Sequence, residues 1–317
     1  MITFKKIETE PHFIKGVIFG DAATGKSTFA LKFIQESCKK RNINKAILID
    51  TEKGWSWLKK QNEHLLQDID LLEPNITDYD NMPIVSLVKS IQEYCLYNNV
   101  SCIVIDSVSF IGEKITTECL ESVNAELVKR GKPKREDTTY ADYLEVREKQ
   151  NEIINILKSI DADILLCGRA TSEYQTGKEN GRQVVVNATE RTLQGWKQLT
   201  YEFDFSILAT VDFDITSNNQ IKKFTNLITK SRIGNDGERV SNEVINKWFE
   251  KISINDNLLQ NKTKFIECSE ELAKCENQEM LDVIVNKIKT LPEQDRSKLH
   301  HVYLAKKKEL QALVNNS

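Results

Sequence analysis

The sequence predicts an α/β protein: a mostly parallel sheet with helices on both faces, followed by a small helical region. Three observations predict it. Short, nearly all-apolar runs recur along the chain, each ending at a glycine or an aspartate. Between them lie stretches whose apolar residues recur at helical spacing. The first run leads directly into Gly20-Asp21-Ala22-Ala23-Thr24-Gly25-Lys26-Ser27, a glycine-bracketed loop at the mouth of a helix. Strands that are apolar throughout are buried on both faces, as in parallel sheets covered by helices.

Taken in order, Ile14 to Phe19 is the first strand. Lys26 to Lys39 is a helix with Phe29, Ala30, Phe33 and Ile34 on its apolar face. The second strand, Ala46 to Ile49, ends at Asp50; the third, Cys102 to Ile105, ends at Asp106; the fourth, Ile164 to Cys167, ends at Gly168. Helices are expected over Ile84 to Tyr97 and Tyr140 to Ser159. After residue 200, Phe203 to Thr210, Val211 to Thr216 and Ile221 to Thr229 read as successive strands extending the same sheet. The last delivers Thr229-Lys230-Ser231-Arg232. The core is expected to span residues 1–252, with a polar linker at 253–262. A helical region at 263–317 has patterns over Phe265 to Cys275, Met280 to Lys289 and Gln294 to Leu313. Pro292 opens the last of these at a first-turn position.

The 317 residues carry 40% hydrophobic and 29% charged side chains, ordinary values for a globular protein with a real core. No run approaches the ~20 apolar residues of a membrane span, and the N-terminus lacks a secretory apolar stretch. The expectation is a soluble, cytoplasmic protein without a membrane partner. Seven cysteines are scattered without Cys-x-x-Cys pairs or histidines at metal spacing, which argues for a reducing compartment and against a zinc site. A net charge of −3 excludes a uniformly basic nucleic-acid coat, so any polyanion site must be a local patch.

Gly20 to Ser27 fits G-x-x-x-x-G-K-[ST] without a mismatch, after a strand and before a helix, as its chemistry requires. Glycines let backbone amides wrap phosphates, and the helix N-terminus adds partial positive charge. Lys26 is expected to reach the β- and γ-phosphates of ATP, and the Ser27 hydroxyl to ligate Mg2+, with Thr28 completing the set of nucleotide contacts. Asp106, at the C-terminal end of a strand where α/β proteins bind ligands, is the second expected magnesium ligand. Glu52 stands just past the second strand, next to the phosphate loop, where a carboxylate polarises an attacking water as general base.

Together these elements resemble the RecA-like branch of P-loop ATPases. That branch pairs the loop with a strand ending in Asp-x-Glu, here Asp50-Thr51-Glu52, and a strand running into Asp-Ser, here Asp106-Ser107. The resemblance implies Glu52 for water activation and Asp106 for magnesium. Lys230-Ser231-Arg232-Ile233-Gly234-Asn235-Asp236-Gly237 looks like the Lys-x-Arg and glycine turn of hexameric helicases and RadA-like proteins. By that resemblance Lys230 and Arg232 act on a neighbouring subunit's nucleotide, in a ring or filament with ATP between protomers. Over residues 12 to 250 the chain is most similar to phage-type RecA-like recombinases and single-strand annealing proteins, which implies a phage-encoded protein acting in a host cytoplasm. It departs from them after the fourth strand. Gly168-Arg169-Ala170-Thr171 stands where recombinases place an Asn-Gln-type γ-phosphate sensor.

Two segments are candidate contacts for single-stranded DNA. Lys129-Arg130-Gly131-Lys132-Pro133-Lys134-Arg135 has five basic residues in seven, in the loop expected after the Asp106 strand. Tyr174 to Arg182 reads as a glycine-flanked loop in which Tyr174 stacks on a base while Lys178 and Arg182 meet the backbone. The expected function is ATP-dependent, single-strand DNA binding in recombination or annealing. A helicase or loader motor, or an oligomeric regulatory ATPase without nucleic acid, are the alternatives. The helical tail is expected to dock on the core or recruit another replication or recombination protein.

Overall fold

The structure, a computed structural model, describes residues 13–74, 82–139, 141–179, 182–216, 219–252 and 256–315. It describes the backbone alone at 173–179, 182–190, 212–216, 219–222, 256–260, 294 and 313–315. In chain order the elements begin with β1 (Lys15–Gly20), α1 (Lys26–Arg41), β2 (Lys45–Asp50), α2 (Trp55–Gln61), α3 (Glu63–Leu66), β3 (Asp70–Leu72) and α4 (Ile84–Tyr97). Next come β4 (Cys102–Asp106), α5 (Val108–Lys129), α6 (Asp142–Ser159), β5 (Asp163–Glu179), β6 (Arg182–Leu193), α7 (Leu199–Glu202), β7 (Phe205–Thr216) and β8 (Asn219–Ser231). The chain closes with β9 (Arg239–Val240), α8 (Val244–Lys251), α9 (Asp256–Ala273), α10 (Gln278–Ile288) and α11 (Glu293–Asn315).

The sheet runs β3-β2-β4-β5-β1-β7-β8-β9, with β6 paired to β5 off that path. Pairs from β3 to β7 are parallel; β7–β8, β8–β9 and β5–β6 are antiparallel. Residue parity sorts the side chains into two layers. Ile18, Leu48, Val104, Leu165 and Ile207 share one buried cluster with Phe29, Phe33 and Ile34 of α1 and Trp248 and Phe249 of α8. Residues of the other parity, such as Val17, Ile47, Ile103 and Leu166, are equally buried. On that second face Gly168 lies against Val108 and Ser109 of α5, and α6 packs on α5. Helices therefore cover both faces, and the architecture is the RecA-like P-loop fold the sequence predicts.

At the N-terminal edge of the strands a buried polar network holds α1 in place. Asp163 accepts from the Ile14 amide at 2.8 Å, the Ser37 hydroxyl at 2.7 Å, and Arg41 at 3.0 Å (Nε) and 2.7 Å (Nη2). Arg41 ends α1, Ile14 directly precedes β1 and Asp163 begins β5, so this one carboxylate fixes both elements that flank the phosphate loop.

Several expectations change. The stretch after Asp106 is no loop but the 22-residue α5, with Val108, Ile111, Ile115 and Cys119 buried at helical spacing; the basic run follows its end. Of Tyr174 to Arg182, the described residues are strand rather than loop: Tyr174 to Glu179 continue β5 and Arg182 opens β6. β5 pairs with β6 from Ala170↔Leu193 to Glu179↔Arg182, a long hairpin favoured by the β-branched run Val184-Val185-Val186. Phe205 to Thr216 is one strand, because no glycine or proline interrupts it. Residues 256–262 of the expected linker are the first turns of α9, consistent with the absence of glycine and proline there.

By internal packing the chain divides into a larger unit, residues 13–92 and 100–252, and a smaller one holding residues 93–99 with the described part of 253–317. The smaller unit has its own core. Phe265 and Leu272 of α9, Leu281 and Ile284 of α10, and Leu299 and Leu310 of α11 are buried together. Tyr97 stacks on Phe265 with ring centroids 6.0 Å apart. Asn277 caps α10 by accepting from the Met280 amide at 2.9 Å.

Candidate nucleotide site

The phosphate loop leaves β1 at Gly20, and close packing explains why glycine stands there. A β-carbon at Gly20 would lie 2.4 Å from the Ala209 carbonyl oxygen of β7. Gly25 sits just before α1 with φ of 87°, the left-handed region that glycine enters without strain. The Thr24 hydroxyl donates to the Asp21 carbonyl at 2.9 Å and closes the loop. Lys26 Nζ lies across its mouth, donating to the carbonyls of Gly20 (3.1 Å) and Asp21 (2.7 Å). Ala22, Ala23 and Thr28 are exposed around the same opening. The free amides of the first turn of α1 converge there, the ordinary environment for a phosphate group.

The two magnesium candidates meet. Ser27 Oγ donates to Asp106 Oδ2 at 2.8 Å, although 79 residues separate them. Both are hard oxygen donors of the kind magnesium takes beside substrate phosphates, so the residues fit that ion. Asp106 is 8% exposed, and burial raises its pKa above the ordinary aspartate value, with bonds from Ser27 and Trp55 opposing the shift. The Trp55 indole Nε1 donates to the same oxygen at 2.9 Å and fixes the carboxylate from the other side. Nothing in the sequence pattern pointed to Trp55, since a tryptophan opening a helix reads as core.

Glu52 is presented by a loop that Asp50 shapes. The Asp50 carboxylate accepts from the amides of Glu52 (3.3 Å), Gly54 (3.3 Å) and Trp55 (2.9 Å), turning the chain sharply after β2. The Thr51 amide donates to the Asp106 carbonyl at 2.7 Å, and the Ser107 amide donates to Thr51 Oγ1 at 2.8 Å, which joins the ends of β2 and β4. Glu52 Oε1 accepts from Ser107 Oγ at 2.8 Å and from Arg169 Nη2 at 3.0 Å. Arg169, which follows Gly168 in β5, therefore touches the candidate general base. Arg191 of β6 makes a second link to the site through an ion pair with Asp21 of the phosphate loop. As a lone arginine in a stretch to which the sequence reading assigned no element, it gave no sequence signal. The β5–β6 hairpin is thus tied at its root to both loops of the nucleotide site.

The remaining candidates lie apart from this cluster. Lys230 does not project as a finger: its Nζ donates to the carbonyls of Tyr201 and, at 2.8 Å, Phe203, and burial lowers its pKa. Arg232 is more open, 60% exposed, with Nη1 3.6 Å from Asp204. Lys129, the last residue of α5, and Arg130, Lys132, Lys134 and Arg135 after it are all exposed. Glu126 pairs with Lys129 and Arg130, and Asp142 with Arg135. Lys132 and Lys134 make no ion pair among the described residues. At about 1.5 Å per residue, the length of α5 carries this basic run roughly 30 Å from Asp106 along the helix axis. The side chains of Tyr174, Lys178 and Arg182 lie outside the described residues.

A mostly parallel sheet with this loop, serine and aspartate at its C-terminal edge defines a P-loop nucleoside triphosphatase. Residues 12–233 match the AAA domain family, and the chain belongs to that family. It is a nucleotide-binding ATPase of the P-loop class. The structure is also similar to a KaiC-like protein from the hyperthermophilic archaea Pyrococcus horikoshii OT3, with 14% sequence identity and a TM-score of 0.41 over 71% of this chain and 83% of that one. No curated protein sequence matches this one significantly. Among the described residues no helix is long and apolar enough to cross a membrane.

Proposed function

We propose that this protein is a magnesium-dependent, RecA-like ATPase that binds single-stranded DNA and acts in recombination or strand annealing, with ATP held between protomers. The observation that carries the reading is the contact of Arg169 with Glu52 at the root of the β5–β6 hairpin. Glu52 takes the proton of the attacking water as general base. Ser27 and Asp106 would hold magnesium, which would supply charge neutralisation at the phosphates, while Lys26 and the loop amides hold the phosphate oxygens. Arg169 and Glu52 are both substantially exposed, so their pairing is worth only about 0–1 kcal/mol. A γ-phosphate competes readily for that guanidinium. Its transfer frees Glu52 for water and shifts the hairpin root, which couples ATP state to the segment carrying Tyr174, Lys178 and Arg182. Arg232 serves the neighbouring protomer's nucleotide, and Lys230 braces the turn that presents it.

The test is ATP turnover with and without single-stranded DNA, beside unwinding and annealing assays and particle images. Turnover should rise with single strands, with rings or filaments forming in ATP. Glu52→Gln should bind ATP yet turn over about 10²–10⁴-fold more slowly, and Lys26→Ala should lose ATP. Directional unwinding would instead identify a motor. Turnover and assembly indifferent to DNA would identify a regulatory ATPase and sink the nucleic-acid reading.

A further inference from the structure

We propose that Phe224 of β8 is the platform on which the purine base of the bound nucleotide stacks. The inference rests on the phosphate-loop reading and extends it from the phosphates to the base. Phe224 is 52% exposed although it shares a strand face with the buried Ala209, Ile207 and Ile228, so its phenyl stands at the outer end of that face, beyond the core. Its ring nevertheless lies against the phosphate loop. A β-carbon built on Gly25 would stand 3.3 Å from Phe224 Cδ1 and 3.8 Å from Cε1. An exposed aromatic surface beside a phosphate cradle is what a nucleoside needs and what water disfavours.

The sheet order sets the direction. β2 and β4, which lead to Glu52 and Asp106, lie on one side of β1; β7 and β8 lie on the other. A triphosphate whose terminal group faces Glu52 has its nucleoside turned toward β8. β8 is two strands from β1, about 10 Å, within reach of a nucleotide anchored at the loop. The level is right as well. Gly20 pairs with Ala209, and Phe224 pairs with Val211 two residues further on, so the ring stands just past the sheet edge from which the loop springs. A phenyl ring has no hydrogen-bonding group and reads only the π-face, which favours the larger purine over a pyrimidine. Removing such a stacking partner weakens binding roughly five- to 150-fold.

The experiment is titration calorimetry of the whole chain with magnesium-ATP and magnesium-tripolyphosphate, comparing wild type, Phe224→Ala and Phe224→Trp. The expected result is ATP affinity reduced by that factor in Phe224→Ala and restored in Phe224→Trp, with tripolyphosphate affinity unchanged in all three. Unchanged ATP affinity in Phe224→Ala overturns the proposal. A parallel loss of both ligands also overturns it, since the ring would then only shape the loop. If wild type binds neither ligand, the phosphate-loop reading fails and the platform with it; if it binds both and Phe224→Ala leaves both intact, only the platform fails.

Discussion

Asp106 shows how one residue's surroundings set both stability and chemistry. Its carboxylate is buried, so its folded pKa lies above the unfolded value, and the native state holds the proton more tightly than the unfolded chain does. The stability this contributes is fully present below the unfolded pKa and is lost as pH rises through the folded one. At neutral pH the ionised group therefore strains the protein without metal. Asp106→Asn, which can still accept from Ser27 and Trp55, should raise the melting temperature of the nucleotide-free protein while abolishing magnesium-dependent turnover. Wild-type turnover should fall on the acid side at a pH above the ordinary aspartate range, as protons displace magnesium. A melting temperature that drops in Asp106→Asn would show that the carboxylate is not strained. Trp55, after Ser27, opposes the rise in the Asp106 pKa through its indole bond and holds the carboxylate in place.

At the scale of elements, the phosphate loop is only as well placed as the strand and helix it joins. The Arg41–Asp163 pair is 2% and 0% exposed and ties the end of α1 to the starts of β1 and β5. Breaking a buried pair from one side leaves an uncompensated charge and costs about 3–5 kcal/mol. Arg41→Ala should therefore lower the melting temperature by on the order of 10 °C. An unchanged melting temperature in Arg41→Ala would show that the pair does not stabilise this edge of the sheet. The hairpins show the complementary principle. β5 and β7 pair with β1 up to Gly20, then run on beyond it with their antiparallel partners, so the loop lies between two projecting arms. Arg191 anchors one arm to Asp21, and Phe224 of the other lies against Gly25.

For the molecule as a whole, the distribution of charge matters more than its sum. Net charge is −3, and Glu126 and Asp142 offset part of the basic turn after α5. Lys132 and Lys134 then carry most of its free positive charge. Each single-strand phosphate neutralised contributes about 0.7 to the salt slope. Lys132→Glu with Lys134→Glu should weaken single-strand binding and flatten the logarithmic slope by roughly one to two units, with ATP affinity unchanged. If affinity and slope both stay fixed, DNA lies elsewhere on the chain, and the β5–β6 hairpin becomes the first candidate.

The sequence alone determined the order of apolar strands, the phosphate loop, and the carboxylates at positions 52 and 106. Each of these is written in contiguous residues: burial on both faces makes a strand apolar throughout, and wrapping a phosphate needs glycines at fixed spacing. It could not show that Arg169 meets Glu52, that Arg191 meets Asp21, that Trp55 holds Asp106, or that Phe224 lies against Gly25. Those pairs are 117, 170, 51 and 199 residues apart, and only strand order and register bring them together. It also read Tyr174 to Arg182 as a loop and left the rest of β6 unassigned, because a strand pairing outside the buried sheet need not be apolar. The physical reason is one and the same: local pattern encodes what a segment must bury, whereas contact between distant polar groups is decided by topology.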